Sequence, residues 1–460
     1  MYLIAYLVLI LGFVNLVRIA TFLIGSDLYD IRASQKQKPK TAISKYKTDL
    51  TYTNKKGFSL IRSGFLVNNT RMGKQLTARE YRPLVTVIVP AHNEEKTLNR
   101  NLDSVLNSSY KNVELIIVND SSTDKTPQIA KNFQRKYRNH FVKVMVINVN
   151  VHGKARALNA GLECAKGSLF MCLDADSALT EKALEYGVSN FEDPKVVTLS
   201  SNVKIFTGKG GLNLFQRLEY LVCYQMKKTE TFANTQYIVG GIGSMFRTQL
   251  VKDLGGYDVD TITEDIDLSM KIIGEFGKTA KVSYDPRMVV FTEAVIDFKG
   301  LLQQRFRWKY GRYQVFLKQR HLFWSRSNQQ NPLLTWLYLP YALFGELTYV
   351  LEPLTYLLLL YLIFHFGDLS MLLGSLIVFL FYIVVQVTGA SVGYSATERV
   401  KFILLSPFIY FGMFALSFVE YIATIRGLLN SKKLLTNYRN GGGDCNWQHV
   451  ERAGTATIAG

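Results

Sequence analysis

Cysteine is scarce in this sequence, and the few cysteines form no recognisable pattern. Only four occur among 460 residues, Cys164, Cys172, Cys223 and Cys445, and no two have the spacing of metal ligands. This composition excludes a disulfide framework, so we expect the folded part of the chain in the reducing cytosol. Acidic residues are also few, 36 against 54 basic residues, which gives a net charge of +18. A charge of this sign is typical of proteins that bind nucleic acid or an anionic membrane face.

Apolar residues, in contrast, make up 48% of the sequence and collect in long blocks. These blocks favour a lipid bilayer as the partner, and we expect no nucleic acid. Residues 1–17 carry no charged side chain, and residues 1–25 are long enough for one transmembrane helix. A signal peptide would carry positive charge near its start, so we expect a retained anchor. Basic residues follow in a linker at 26–82, and the positive-inside rule places this linker in the cytoplasm.

A second apolar block, residues 332–428, predicts transmembrane helices at about 335–364, 369–393 and 402–426. One helix before the central region and three after it would put the C-terminus outside the cell, whereas basic residues in the tail at 429–460 favour the inside. Either residues 332–366 break into two membrane elements or one segment lies in the membrane interface, and the sequence leaves both open. We expect a multi-pass protein of the plasma (inner) membrane, with its central domain in the cytoplasm.

Between the two blocks, residues 83–297 have the pattern of an α/β domain. Four apolar runs predict buried strands, at 84–90, 113–118, 142–147 and 169–173. Helical segments separate them, at 94–106, 126–137 and 154–165. Strands that alternate with helices form βαβ units with right-handed crossovers, which predicts a doubly wound, mostly parallel sheet.

Polar side chains follow these strands at the sheet edge where such folds bind ligands. The first strand ends in Pro90-Ala-His-Asn-Glu-Glu95 and the second in Asn119-Asp-Ser-Ser-Thr-Asp124. Asp120 is suited to a nucleobase or ribose edge, and Lys154, at the start of the third helix, is suited to a phosphate. Ordinary helix capping explains each loop taken singly, but three loops that converge on one edge indicate a ligand site.

The fourth strand ends in two acidic residues, Asp174 and Asp176, separated by one alanine. Alternate residues of a strand point to the same face, so both carboxylates aim at one point. Hard oxygen ligands at such a point suit Mg²⁺ or Mn²⁺, together with substrate phosphates. A pair of acids in a polar turn is the alternative, and this spacing alone does not decide between them.

Three later segments carry further candidate chemistry. Thr263-Glu-Asp-Ile-Asp267 opens a predicted helix, so its acids are either a general base or favourable charges at a helix N-terminus. The glycine-rich residues 240–247 either let a ligand approach the backbone or form a tight turn. Residues 298–331 alternate apolar and basic side chains, which predicts amphipathic helices on the membrane surface.

In this order, the motifs resemble those of the family 2 membrane-embedded processive glycosyltransferases, which include poly-N-acetylglucosamine, hyaluronan, chitin and cellulose synthases. The matching residues are Val89-Pro-Ala-His-Asn-Glu-Glu95, Asn119-Asp-Ser-Ser-Thr-Asp124, Gly153-Lys-Ala-Arg-Ala-Leu-Asn159, Asp174-Ala-Asp176, Thr263-Glu-Asp265 and Gln304-Arg-Phe-Arg-Trp308. The resemblance covers residues 80–325. The last motif looks closest to the bacterial poly-β-1,6-N-acetylglucosamine synthases.

The resemblance implies a GT-A fold and an inverting transfer from a UDP-sugar, with Mg²⁺ or Mn²⁺. UDP-N-acetylglucosamine is the donor that it favours. Asp174 and Asp176 would then hold the metal, Asp265 beside Glu264 would be the general base, and Gln304, Arg307 and Trp308 would close over the donor. The residues implied to bind the donor are Pro90, Ala91, Asn93, Glu94, Asp120, Lys154 and Asp174.

The implied product is a β-linked extracellular polysaccharide that the enzyme extrudes through its own transmembrane channel. The growing polysaccharide would be the acceptor, and an accessory export subunit is a further candidate partner. Hyaluronan, chitin or cellulose synthesis is one alternative, and a non-processive glycolipid transferase is another, although such relatives often lack the Gln-x-x-Arg-Trp pattern. A non-catalytic membrane subunit is the third, against which the intact Asp174, Asp176 and Asp265 argue.

Overall fold

The computed structural model describes residues 2–37, 52–53, 59–60, 81–138, 140, 142–367, 369–389, 392 and 394–430. Nearly all of the predicted tail at 429–460 and most of the predicted linker at 26–82 lie outside these residues. The strands are β1 (Tyr52–Thr53), β2 (Ser59–Leu60), β3 (Val85–Ala91), β4 (Val113–Asp120), β5 (Lys143–Val149), β6 (Leu169–Cys172), β7 (Ala178–Leu179), β8 (Val196–Ile205), β9 (Ser244–Arg247) and β10 (Lys281–Thr292).

Helices surround these strands and extend beyond them at both ends of the chain. They are α1 (Tyr2–Gln37), α2 (Leu98–Leu106), α3 (Thr126–Lys136), α4 (Lys154–Cys164), α5 (Ala183–Asn190), α6 (Gly211–Ala233), α7 (Thr248–Asp253), α8 (Glu264–Phe276), α9 (Phe298–Lys318), α10 (Leu339–Phe366), α11 (Ser370–Gly389) and α12 (Ala396–Leu429). A π-helical turn at Leu333–Tyr338 precedes α10. We call the part of the chain from β3 to α9 the catalytic domain.

The eight-stranded sheet has the order β5-β4-β3-β6-β9-β8-β10-β7. Strands β3 to β6 are mutually parallel, which confirms the predicted βαβ units. Strand β9 runs antiparallel between β6 and β8, and β7 pairs antiparallel with β10 at the edge. Sequence analysis predicted neither of these two short antiparallel strands, which have four and two residues.

Apolar helix faces cover both sides of the sheet. Strands β3 and β4 are buried along their whole length, as expected for parallel strands with helices on both faces. Leu102 of α2 and Leu184 of α5 belong to the core on one face. Leu158 of α4 and Ile272 of α8 belong to the core on the other. This packing fixes the loops at the carboxyl ends of the strands and the N-termini of α4 and α8.

Three helices in the described part of the chain are long and apolar enough to cross a membrane. The apolar windows are Tyr349–Phe366, Leu372–Gly389 and Ala396–Leu429. They agree with the three C-terminal segments that the sequence predicts. Helix α9 falls in the predicted interface segment at 298–331, and its first turn is capped by the Asp297 carboxylate, which accepts a hydrogen bond from the Gly300 N–H.

Candidate active site

A cavity of about 410 Å³ opens beside the ends of β3 and β6. The N-termini of α4 and α8 and the sides of α6 and α9 complete its wall, and its volume is ordinary for a small-molecule site. Most of the predicted site residues line it: Pro90, Glu94, Lys154, Asp174, Asp176, Glu264, Asp265, Gln304, Arg307 and Trp308. Ala91, Asn93 and Asp120 are not among the lining residues.

The two acids after β6 lie on a loop that α2 holds in place. The Asn101 amide nitrogen donates to the backbone carbonyls of Asp174 and Ser177, at 2.8 Å each. Asp176 Oδ1 accepts hydrogen bonds from the hydroxyls of Ser177, at 3.0 Å, and Thr292, at 3.2 Å. Both the backbone and one carboxylate of this loop are therefore fixed before any ligand binds.

Lys154 lies between acids from two different elements. Its Nζ is 2.6 Å from Asp174 Oδ1 and 3.3 Å from Glu264 Oε1. Burial alone would lower the pKa of Lys154, but the two carboxylates raise it well above its usual value. Burial, opposed by Lys154 and reinforced by Asp176, raises the pKa of Asp174. One ammonium is thus shared among several carboxylates, which leaves the cavity with surplus negative charge.

Asp265 is oriented by backbone N–H groups. Its Oδ2 accepts from Gly241 at 2.7 Å, and its Oδ1 accepts from Ile266 at 2.9 Å. The glycine-rich segment therefore does approach the site, because a Cβ on Gly241 would lie 3.1 Å from Lys154 Nζ. The same segment also forms a turn at Gly243, whose φ of +66° favours glycine, before it enters β9. The structure thus shows a turn in this segment, and the approach of a ligand to its backbone stays a prediction.

Helix α9 carries the Gln-x-x-Arg-Trp residues into the opposite wall of the cavity. Gln304 is buried, and the side chains of Arg307 and Trp308 line the space. Arg305 lies behind them, with its guanidinium carbon 4.5 Å from the centre of the Trp308 ring. Residues of three elements therefore face one cavity: the loop after β6, the start of α8 and α9.

Asp120 is fully buried under the loop that precedes α4. Its Oδ1 accepts from the N–H groups of Val151 and His152, at 3.0 and 3.1 Å, and its Oδ2 accepts from Gly153 at 2.8 Å. His152 has a φ of +49°, and this hydrogen bond helps to hold its left-handed backbone. In this geometry Asp120 positions Lys154 indirectly, and its contact with a nucleobase stays a prediction.

Asn93 and Ala91 also support the wall from behind. Asn93 Oδ1 accepts from the Thr123 N–H at 2.8 Å, which joins the loops after β3 and β4. Ala91 is fully buried at the end of β3. Sequence reasoning missed Asn101 and Thr292, because a single polar residue in a helix or at a strand end looks like an ordinary surface residue.

The donor set at the end of β6 fits a divalent cation. Asp174 and Asp176 offer carboxylate oxygens on a loop that is already fixed, and the surplus negative charge favours a cation there. A second acidic cluster, Asp258, Asp260 and Asp267, has ligand-like spacing. Lys318 Nζ lies 2.6 to 2.7 Å from all three, so an ammonium already neutralises that cluster and we assign it no metal.

Comparisons with known proteins agree with this geometry. Residues 86–255 match the protein family described as "Glycosyl transferase family 2". The chain is 30% identical over 311 residues to a poly-beta-1,6-N-acetyl-D-glucosamine synthase of Staphylococcus epidermidis, covering 64% of this chain and 73% of the relative. The chain belongs to glycosyl transferase family 2. This glycosyltransferase is also 32% identical over 253 residues to the synthase of Staphylococcus aureus strain COL, with 54% of this chain and 59% of the relative covered.

A solved structure supports the fold of this glycosyltransferase. The mannosyltransferase PcManGT from Pyrobaculum calidifontis, in complex with GDP-Man and Mn²⁺, superposes with a TM-score of 0.51 at 20% identity. The superposition covers 76% of this chain and 87% of the mannosyltransferase chain. The predicted GT-A fold is therefore confirmed for the catalytic domain.

Proposed function

We propose that this glycosyltransferase adds N-acetylglucosamine from UDP-N-acetylglucosamine to a growing β-linked polysaccharide and passes the polymer through its membrane helices. The observation that carries the proposal is the single cavity that Asp265, the Asp174–Asp176 loop and Trp308 share. The names of the Staphylococcus relatives supply the sugar. The cavity wall also includes Tyr224, which belongs to the same apolar cluster as Ile383 of the apolar helix α11, so this wall adjoins the apolar helices.

Asp265 would be the general base of the transfer. The N–H of Gly241, in the glycine-rich segment, and the N–H of Ile266, in the first turn of α8, each donate to one of its oxygens and so fix the carboxylate in place. In the reaction, this carboxylate takes the proton of the acceptor hydroxyl while the hydroxyl oxygen forms a bond to C1 of the donor sugar. The bond from C1 to the UDP oxygen breaks on the opposite side, so the configuration at C1 inverts.

The opposite wall would stabilise the leaving diphosphate. Asp174 and Asp176 would hold Mg²⁺ or Mn²⁺, which neutralises charge on the diphosphate when bound. Arg307 and Lys154 provide positive charge from two further sides of the cavity. Negative charge grows on the diphosphate as the bond to C1 breaks. Cations fixed in place therefore stabilise the transition state more than they stabilise the bound donor, and this difference lowers the barrier.

Trp308 would close over the donor together with Gln304 and Arg307, and would present its ring to a sugar. An indole offers a flat apolar face, which suits the axial C–H groups of a β-linked sugar. The enzyme would work as a multi-pass protein of the plasma membrane, with its GT-A domain at 83–297 in the cytoplasm and its interface segment at 298–331 beneath the bilayer. An accessory export subunit would act beyond the membrane and take no part in the transfer.

The direct test is UDP release from the purified protein in detergent with Mn²⁺. UDP-N-acetylglucosamine, UDP-glucuronic acid and UDP-glucose are offered singly and in pairs, and the products are sized on a gel. We expect high-mass product from UDP-N-acetylglucosamine alone. A requirement for both UDP-N-acetylglucosamine and UDP-glucuronic acid would indicate hyaluronan instead, and short or lipid-linked product would indicate the non-processive alternative.

A matched pair of variants tests whether the cavity performs the transfer. Asp265→Asn keeps the size of the side chain and removes the base, so UDP release should fall by roughly 10²–10⁴-fold. Asp103→Asn makes the same chemical change at an exposed position of α2 and should leave the rate unchanged. Equal rates in the two variants would exclude Asp265 as the base. A metal chelator should stop the wild type, and added Mg²⁺ or Mn²⁺ should restore it.

A further inference from the structure

The apolar helix α12 contacts the catalytic domain near both of its ends. Close to its start, Glu398 pairs with Arg217 of α6, with Oε1 2.5 Å from Nη2. Close to its end, Gly427 lies against Tyr313 of α9, and a Cβ on this glycine would be 3.0 Å from a ring carbon of the tyrosine. Both partners belong to one folded domain, which we expect on one side of the membrane.

The middle of α12 follows the same surface. Phe402 packs in one apolar cluster with Leu218 and Leu221 of α6. Further along, Leu416 packs with Leu301 of α9. Glu420 then lies 3.3 Å from Arg305 Nε and 3.2 Å from Lys309 Nζ, again on α9. Contact with the domain is therefore continuous along the helix.

The length of this contact is incompatible with a membrane crossing. Residues 398–427 of a helix that rises 1.5 Å per residue span about 44 Å. The hydrocarbon core of a bilayer is about 30 Å thick. A crossing helix of this length would carry one of its ends to the far side of the bilayer, away from α6 and α9. Because both ends contact these two helices, α12 runs along the domain.

The outward side of α12 is a continuous apolar stripe. Its large side chains are exposed: Leu404 (70%), Phe408 (76%), Phe411 (53%), Phe418 (42%) and Ile422 (39%). Successive members of this set are three, four or seven residues apart, so they lie on one face of the helix. The charged side chains of Lys401 and Arg426 are exposed at the two ends of the stripe. Such a helix has an apolar face for lipid and basic groups that can reach phosphate headgroups.

The neighbouring helices indicate that lipid is the partner of this stripe. Helices α10 and α11 are consecutive in the chain and flank α12, with Tyr356 Oη 3.2 Å from Ser417 Oγ and Ser375 Oγ 2.6 Å from Tyr410 Oη. Gly389, at the end of α11, returns to the catalytic domain, where a Cβ would lie 2.5 Å from Gln225 Nε2. The two helices thus form a hairpin that leaves the domain and comes back to it.

We propose that α12 lies in the membrane interface, between the catalytic domain and the adjacent lipid leaflet, and does not cross the bilayer. Helices α10 and α11 are then the C-terminal membrane hairpin, and the C-terminal tail lies on the same side as the catalytic domain. This resolves the conflict in the sequence, because the basic residues after α12 agree with that side. The inference holds whichever sugar the enzyme transfers.

Cysteine accessibility tests the side of the tail. In a chain that keeps one cysteine at a time, a membrane-impermeant maleimide is applied to intact and to permeabilised cells. The three reporters are Asn430→Cys after α12, Ser370→Cys at the tip of the hairpin, and the natural Cys164, which is exposed on α4. We expect position 370 to label in intact cells. Positions 430 and 164 should both label only after the cells are permeabilised. Labelling of position 430 together with position 370 would overturn the proposal.

Depth measurements test the orientation of the helix itself. An environment-sensitive fluorophore is attached to single cysteines, Leu404→Cys, Phe411→Cys or Ile422→Cys, in vesicles that contain lipids brominated at shallow or deep positions. An interfacial helix predicts that the shallow bromines quench all three sites most strongly. A helix that crosses the bilayer predicts that the deep bromines quench position 411 most strongly. If a second copy of the protein covers the outward face, no site should be quenched. Either of these last two results contradicts the proposal, and neither depends on transfer activity.

Discussion

The guanidinium of Arg305 stacks on the Trp308 ring at 4.5 Å and pairs at the same time with Glu420 of α12 at 3.3 Å. It also pairs with Glu219 of α6 at 2.5 Å. Because Trp308 faces the cavity, the orientation of its ring depends on charges that α6 and α12 provide. The Gln-x-x-Arg-Trp helix is thus held by the membrane-side part of the molecule as well as by the catalytic domain.

Glu420→Gln tests this dependence. The substitution removes one carboxylate beside Arg305 and Lys309, which leaves the Trp308 ring less well fixed. We expect kcat for UDP release to fall by roughly ten- to a hundredfold, because a misplacement of about 1 Å in an active site can reduce the rate by about a hundredfold. The polymer should also become shorter. Arg426→Gln changes a charge at an exposed position of the same helix and is the control. Wild-type kinetics and polymer length in Glu420→Gln would show that this charge does not position Trp308.

Asn101→Ala should weaken the loop that carries Asp174 and Asp176. The variant loses two hydrogen bonds to the carbonyls of this loop. We therefore expect the free energy of unfolding to fall by about 1–3 kcal/mol for each carbonyl left without a partner. The apparent affinity for Mn²⁺ should fall by roughly 10- to 100-fold, as is typical when groups behind metal ligands are lost. Titration of UDP release with Mn²⁺ measures this change. Asn99→Ala, on the exposed side of α2, should match the wild type in both measurements.

Lys154→Met should reduce the transfer rate strongly. The ammonium that Asp174 and Glu264 share is lost, and the leaving diphosphate loses a positive neighbour. We expect kcat to fall by roughly 10²–10³-fold, comparable to the loss of one group that stabilises charge in a transition state. Lys166→Met, exposed beyond the end of α4, is the control. A normal kcat with raised KM in Lys154→Met would instead assign Lys154 to donor binding alone.

Glu230 predicts a dependence of stability on pH. Burial on α6, partly opposed by Lys227, raises its pKa to about 8 in the folded protein. Glu230 has a lower pKa in the unfolded chain than in the folded protein. Its contribution to the free energy of unfolding is therefore present at acid pH, where its carboxyl is protonated, and is lost as pH rises toward about 8. The difference in melting temperature between Glu230→Gln and the wild type should therefore grow in favour of the variant between about pH 5 and pH 8, since a free Glu has a pKa of about 4.3 and the pKa of Glu230 is about 8.

The control for this measurement is Glu163→Gln, which makes the same change at an exposed position of α4. It should follow the wild type at every pH. A constant difference between Glu230→Gln and the wild type across this range would show that Glu230 keeps one protonation state throughout.

The sequence was sufficient for the parallel half of the sheet, because each strand from β3 to β6 is an apolar run with a turn after it. It also predicted Asp174, Asp176 and Asp265 as site residues; all three line the cavity, and their roles stay predictions. It could not identify the function of Asn101 or Thr292, whose partners are distant in the sequence. Nor could it show that Asp120 accepts three backbone N–H groups, because any residue can donate them.

The end of the chain shows a second limit of sequence patterns. Residues 396–429 are apolar enough for a membrane span, and composition alone assigns them to one. The orientation of α12 follows from contacts with α6 and α9, and these are set by tertiary packing. A helix with one apolar face on a protein and another on lipid has the same composition as a helix surrounded by lipid.

The N-terminal helix α1 packs on the outer face of α6, the helix that forms part of the cavity wall. Thr229 Oγ1 donates to the Phe22 carbonyl at 2.8 Å, Lys228 pairs with Asp30 at 2.6 Å, and Gly25 leaves no room for a side chain beside Thr229. A shortened, water-soluble form of the enzyme that begins after α1 would therefore lose the support of its own substrate pocket. Drug discovery and crystallisation on this enzyme will need α1 in place.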